Sequence, residues 1–360
     1  LLIFYTTFFK YRGKGEGGRV IKTVTIKDVA RKAGVSPSTV SQFVNKRYHY
    51  MGEKTKKKVA EAIEELGFHP NTVARSLKQK KTLTIGVIIS NILHRYSTVV
   101  SRSIEDYCYN YEYHTIICNA DDDPEKEQKY VEMLLAKQID GLIVVPTNYN
   151  RELYQRLKER NIPVVFLDRY IDDLEIPTVV VDNQKITEQA INHWIEAGHR
   201  RISLITAPLK VSTRRERVEG YKQALQQADI PINDAYLHHV EMDDVFEVCK
   251  EMLELEEPPT AILAASDLVL IELVKFIKQQ HIQVPEDLAV MVFDEVHLAE
   301  LHEPPITTIN QPFYEMGQKA ASLLMDLIDH KPVEDKKYVF EATINIRESS
   351  ETKILDKGVM

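Results

Sequence analysis

The chain has 360 residues, 44% hydrophobic and 28% charged, a soluble-globular balance too long for one ordinary domain of roughly 100 to 200 residues, so a small module plus a larger body is expected. Three cysteines, Cys108, Cys118 and Cys249, form no CxxC pair and no ligand spacing with histidine; a reducing, cytoplasmic setting follows, with no metal and no cofactor expected. The net charge of -8 hides a division: residues 25–82 carry 13 Lys/Arg against 5 Asp/Glu and residues 1–24 carry 5 against 1, which leaves the rest at -20. An acidic body with a basic head presents that head to a polyanion, because the head releases counterions on binding phosphate.

The apolar start, residues 1–9, is shorter than the roughly 20 residues of a membrane span and lacks a cleavage site, so neither anchor nor export is expected. Residues 1–22 are read as disordered or as upstream sequence from a misplaced start, since no Met precedes Met51. Their Gly-rich run, 13–18, follows no apolar strand and is no dinucleotide loop.

Thr25 and Asp28 mark a helix start, Thr25 offering its oxygen to free N–H groups and Asp28 complementing the dipole. Ile26, Val29, Ala30 and Ala33 share one face, and Gly34 ends the helix. Ser36-Pro37 opens the next, with Ser36 as cap and Pro37 where its missing N–H costs nothing. Val40 and Val44 form its buried side. A third helix over 54–66 buries Val59, Ala62, Ile63 and Leu66 and stops at Gly67. Two helices across a tight glycine turn form a helix-turn-helix, and the second exposes Ser38, Thr39, Ser41 and Gln42, with Asn45 just beyond. Short side chains that both donate and accept suit base edges and phosphates, whereas a merely solvated face normally carries Glu and Lys.

After Pro70 and a linker ending in Lys78, Lys80 and Lys81, apolar runs alternate with amphipathic helices: 85–89, 115–118, 141–145, 164–167, 202–205, 261–265 and 288–293. This implies parallel sheets covered on both faces. Asp121-Asp122-Asp123-Pro124 reads as a solvated helix cap rather than a metal site. The histidines are scattered without HExxH, His238-His239 reads as strand surface, and no GxSxG, P-loop or paired acid and base appears, so no enzyme is assigned.

The run from Thr25 to Asn45 (TIKDVARKAGVSPSTVSQFVN), PNTVARSL at 70–77, TIGVI at 84–88, IPVVFLDR at 162–169, VDN at 181–183, GHRRI at 198–202, RVEGY at 217–221, PPTAILAASD at 258–267 and TTINQP at 307–312 together resemble the LacI family of bacterial repressors. The resemblance implies an N-terminal all-α helix-turn-helix DNA-binding domain plus a type I periplasmic-binding-protein-like, two-lobed α/β effector domain. The expected boundaries are 23–69 for the head, 70–82 for hinge helix and linker, 83–350 for the body and 351–360 for a tail. Lobe 1 takes 83–181 and 311–340, and lobe 2 takes 182–310 and 341–350.

Carried over position by position, Pro37, Ser38 and Gln42 match base-reading residues, while Thr25, Ser36, Thr39, Ser41, Asn45 and Thr55 match those near phosphates. Gln42 replaces the family's usual Arg and leans toward adenine or a weaker contact. Asn71, Ala74 and Leu77 fall in the implied hinge helix, where Leu77 wedges into the minor groove. Ligands of such sheets sit beyond the strands' carboxyl ends, so the implied effector residues are Asp168, Arg169, Arg217, Ser266, Asp267, Asp294 and Gln311.

Arg169 is read as a partner for a ligand carboxylate. The segments AIEELGFHPN, NILHRYS and CNADDDPEKE are similar to those of family members that govern use of 2-keto-3-deoxygluconate, making a sugar acid the expected effector. The partners implied are a near-palindromic double-stranded DNA operator, a sugar or sugar acid, and a second copy in a homodimer; no membrane is implied. A periplasmic-type receptor with the same body has no use for the basic head, and an enzyme lacks its catalytic constellation. Corepression or activation by the effector stays open beside release.

Overall fold

The computed structural model describes residues 24–49, 51–68 and 81–351. They fall into two units, divided between residues 79 and 80. Asn71, Ala74 and Leu77, the extension 1–22 and the tail from 352 onward lie outside the described residues.

The described residues of the head form three helices: α1 (Ile26–Ala33), α2 (Pro37–Val44) and α3 (Glu53–Leu66). Thr25 closes the first turn of α1 by donation rather than by acceptance alone, its N–H and hydroxyl both reaching Asp28 Oδ2, at 3.0 and 2.6 Å. Gly34 sits at φ 68°, left-handed space where a Cβ is strained. Ser36 Oγ accepts the Thr39 N–H at 3.1 Å and starts α2. Val29, Ala30, Ala33, Val40, Val59, Ala62 and Phe68 form the core, while Ile63 and Leu66, expected inside, pack only partly buried at its margin.

In the body each lobe carries a six-stranded sheet. The strands of the first are β1 (Thr84–Ile89), β2 (His114–Asn119), β3 (Gly141–Val144), β4 (Val164–Leu167), β5 (Thr178–Val181) and β11 (Lys337–Phe340), in the order β11-β5-β4-β3-β1-β2 and parallel throughout. The second sheet has β6 (Ile202–Thr206), β7 (Leu237–His239), β8 (Ala261–Ala264), β9 (Ala289–Phe293), β10 (Thr307–Asn310) and β12 (Thr343–Asn345), in the order β12-β10-β9-β8-β6-β7. Only β12 runs antiparallel, against β10.

Alternation along each strand divides side chains between two helical layers. Ile85, Val87 and Ile89 join the core with α4 (Arg95–Asn110) and α12 (Phe313–Ile328), while Ile88 faces α5 (Pro124–Ala136) and α6 (Arg151–Glu159). Sheet two is covered by α7 (Asn183–Glu196) and α8 (Ser212–Gln227) on one side, and by α9 (Val245–Leu253) and α10 (Asp267–Gln280) on the other. A short α11 (His297–Leu301) follows β9. The chain passes between lobes after β5, β10 and β11, so the strand ends of both sheets face one cleft.

Candidate functional site

On the head, Ser36, Pro37, Ser38 and Gln42 are exposed, Thr39, Ser41 and Asn45 half-buried. Ser36 Oγ lies 2.6 Å from Ser38 Oγ and 2.8 Å from Thr39 Oγ1, and Asn45 Nδ2 donates to Ser41 O at 2.7 Å. These local bonds order the polar face of α2 without occupying Gln42. Thr25 lies exposed at the start of α1, and Thr55 half-buried in the first turn of α3. Sequence reading did not single out Tyr48, which packs edge-on against Phe43 at 5.8 Å and carries Lys56 5.0 Å above its ring.

Between the lobes lies a cavity of about 310 Å³. Asp168 and Asp294 follow β4 and β9 directly, one in each lobe, and both adopt left-handed backbone, at φ 67° and 81°. Each donates its N–H to the neighbouring strand, Asp168 to Val179 O at 2.8 Å and Asp294 to Ile309 O at 2.9 Å. Uncommon backbone in the same place on two lobes marks a constrained site. Burial pushes the Asp294 carboxyl up to about 6 against the opposing Arg217 charge, and burial likewise raises Asp168 despite Arg169 and Arg217.

Arg217 is held from three sides: Nε donates to Asn183 Oδ1 at 2.8 Å, Nη1 to Ala265 O at 2.6 Å, and the guanidinium carbon lies 3.8 Å from the Phe293 ring centre. That fixes a planar donor fork toward the cleft. Gln311 Nε2 donates to Asp294 Oδ1 at 2.6 Å. Ser266 lines the cavity too, its hydroxyl accepting the Val269 N–H at 3.3 Å to cap α10.

Six of the seven residues expected from sequence thus line one cavity; Asp267 does not. Its carboxylate is turned to His94, and it borders a separate groove of about 810 Å³ with Leu93, Ile271 and Leu298. Arg169, expected to meet a ligand carboxylate, already donates from Nη1 to Asp122 at 2.6 Å, while Asp168 stands 3.5 Å from its Nε. The cap reading of 121–123 holds for Asp123, which accepts the Glu125 and Lys126 N–H groups at 2.8 and 3.2 Å. Asp122, by contrast, faces the cleft. Tyr96 and Arg214 were missed as well, since no short-range pattern marks them.

Among the described residues no cluster of three His, Cys, Asp or Glu could hold a metal, and no helix is long and apolar enough to cross a membrane. The three cysteines are buried and unpaired.

A helix-turn-helix head joined to a two-lobed receptor defines a ligand-responsive DNA-binding regulator. Residues 25–71 match the family described as bacterial regulatory proteins, lacI family, and residues 82–348 match periplasmic binding proteins and sugar binding domain of LacI family. The chain belongs to the LacI family.

A probable HTH-type transcriptional regulator EndR from Paenibacillus polymyxa is 46% identical over 310 residues, 85% of this chain and 91% of its own length. The lac repressor dimer bound to operator and an anti-inducer superposes with a TM-score of 0.81 at 26% identity, over 92% of this chain and all of that one. The CelR–cellobiose complex gives 0.68 at 27% identity, over 91% and 99%. The family and its curated relatives are transcriptional regulators, not enzymes, and so is this chain.

Proposed function

We propose that this regulator acts in the cytoplasm as a homodimeric repressor of carbohydrate or sugar-acid catabolic genes, released from a near-palindromic operator when a sugar acid enters the cleft. Pro37, Ser38 and Gln42 read bases in the major groove, while Thr25, Ser36, Thr39, Ser41, Asn45 and Thr55 position the head on the backbone. Asn71, Ala74 and Leu77 serve the minor groove. The effector takes its contacts from Asp168, Arg169, Arg217, Ser266, Asp294 and Gln311.

One observation carries the effector site. Tyr96 Oη and Gln311 Oε1 are buried without a hydrogen-bond partner, Arg169 Nε has only the Asp168 carboxylate at 3.5 Å, and all three residues line the same cavity. Buried polar atoms are nearly always satisfied, so two donors and an acceptor converging on one space describe a polar ligand. The volume is at the small end of ligand pockets, roughly 300–1,000 Å³. Hydroxyls suit Asp294 and Gln311, and a carboxylate suits the arginines; 2-keto-3-deoxygluconate has both.

The test is a thermal-shift screen of sugars and sugar acids on the full chain, followed by operator binding with each hit. A hit raises the midpoint by mass action. A neutral hexose that binds tightly while 2-keto-3-deoxygluconate does not removes the sugar-acid reading; a hit that tightens operator binding replaces release by corepression.

A further inference from the structure

Asp122 stands in the loop between β2 and α5, its N–H bonded to Ser90 O at 2.8 Å. Its two oxygens are divided between arginines from different lobes. Oδ1 accepts from Nη1 of Arg169, which follows β4, at 2.6 Å; Oδ2 accepts from Nη2 of Arg214, in the first turn of α8, at 2.8 Å. The two arginine side chains are 6% and 16% exposed. Guanidiniums so stripped of water require an anion between them. Beyond Asp122, Arg214 has the neutral carbonyl of Pro208 at 3.1 Å. Although burial opposes ionisation of Asp122, the two guanidiniums hold its carboxyl well below the usual range, so it is a fixed negative charge.

We propose that Asp122 is a built-in anion that sets the charge of the effector: by filling the place between Arg169 and Arg214 it leaves the cleft suited to one ligand carboxylate and closed to sugar phosphates and dicarboxylic sugar acids. This rests on the cleft being the sugar-acid site and specifies the charge that site takes. The cluster holds Arg169, Arg214 and Arg217 against Asp122, Asp168 and Asp294. Burial makes Asp168 and Asp294 hold their protons more tightly than usual. Arg217 gives its hydrogen bonds to the neutral Asn183 Oδ1 and Ala265 O, so with Arg169 and Arg214 both turned to Asp122 it is the guanidinium left for a single ligand carboxylate. A second ligand charge is repelled by Asp122 at low dielectric. The same carboxylate also ties lobe 1 to lobe 2 at the cleft wall.

The experiment compares the full-length protein with its Asp122→Asn variant, which keeps the shape and an acceptor oxygen but loses the charge. Calorimetry at pH 7 and constant ionic strength uses D-glucose, D-gluconate, D-glucarate and inorganic phosphate. Expected is that the unaltered protein binds gluconate over glucarate and phosphate, whereas Asp122→Asn binds glucarate and phosphate at least tenfold more tightly than its parent, a gain lost in Asp122→Asn/Arg214→Gln. An Asn variant whose affinity for both dianions is unchanged overturns the proposal, even where gluconate binding holds. If the parent binds no sugar acid yet the Asn variant gains Arg214-dependent phosphate binding, the sugar-acid reading fails and the assignment of Asp122 stands. Should Asp122→Asn not fold, Arg214→Gln is measured alone: with one cation fewer beside an intact Asp122, gluconate binding drops at least tenfold, and an unchanged affinity counts against the proposal.

Discussion

Nδ1 of His94 lies 2.5 Å from Oδ1 of Asp267, a contact that joins the two lobes behind the cleft. Asp267 also accepts the N–H groups of Arg95 and Leu268, each at 2.9 Å, and Arg95 reaches on to Glu295 O at 2.5 Å. Removing the carboxylate leaves several half-buried donors unpaired. Asp267→Ala should therefore cost about 1–3 kcal/mol of stability in urea denaturation, while changing effector affinity much less. Lost affinity with unaltered stability would return Asp267 to the binding residues.

Asp294 makes stability depend on pH in an identifiable direction. Its carboxyl, raised to about 6 by burial, keeps a proton that the unfolded chain has already released. Between the unfolded value near 4 and pH 6 the folded state binds more protons, so this group's contribution is full below about pH 4 and is lost as pH rises through 6, by up to roughly 3 kcal/mol. Asp294→Asn should flatten the fall in stability from pH 4 to 7. A parallel pH profile for parent and variant would contradict the assigned ionisation.

Gly220 marks the close approach of α8 to α7. A Cβ there would lie 2.2 Å from the carbonyl oxygen of Gln184 and 2.9 Å from Thr187 Cβ. Backbone cannot step aside as a flexible side chain does. Gly220→Ala is expected to destabilise by about 1–3 kcal/mol or more and to weaken effector binding, because Arg217 lies one turn earlier on the same helix. Unchanged melting and affinity would show that the two helices separate freely.

Gln42 is exposed on α2 and free to reach a base edge. Gln42→Ala should reduce discrimination at one operator position by about 1–3 kcal/mol, and Gln42→Arg should move the preference there toward guanine. Binding to a set of single-base operator variants reads both effects. Uniform weakening across the set would make Gln42 a backbone contact instead.

Much of this arrangement is written in short-range sequence. Ser36-Pro37 states a helix start in two residues, and Gly34 and Gly67 state helix ends; Asp168 and Asp294 each stand directly after a buried apolar strand. Asp267 stands near the end of the apolar run 261–265, three residues past β8, yet Ser266 faces the cleft and the aspartate turns to His94, 173 positions away. Asp122 is hidden for a similar reason: its neighbour Asp123 is a helix cap, and its second partner Arg214 is 92 positions distant. Pairings of that span leave no periodicity. The strands β11 and β12 escape notice because they are three or four residues long, with partly exposed side chains, and β5 because its threonine and three valines lie between a proline and an aspartate with no alternation to read.

Occupancy of the interlobe cleft is proposed to control the grip of the head on DNA. The most direct measurement is fluorescence anisotropy of the full chain on a duplex selected from fragmented genomic DNA, titrated with and without 2-keto-3-deoxygluconate at modest salt. The expected result is specific binding that weakens at least tenfold with the sugar acid, consistent with a coupling of about 1–3 kcal/mol, and an Arg217→Ala variant that binds the duplex but ignores the ligand. A chain that selects no duplex, or one whose DNA affinity stays the same when calorimetry shows the cleft filled, would contradict it.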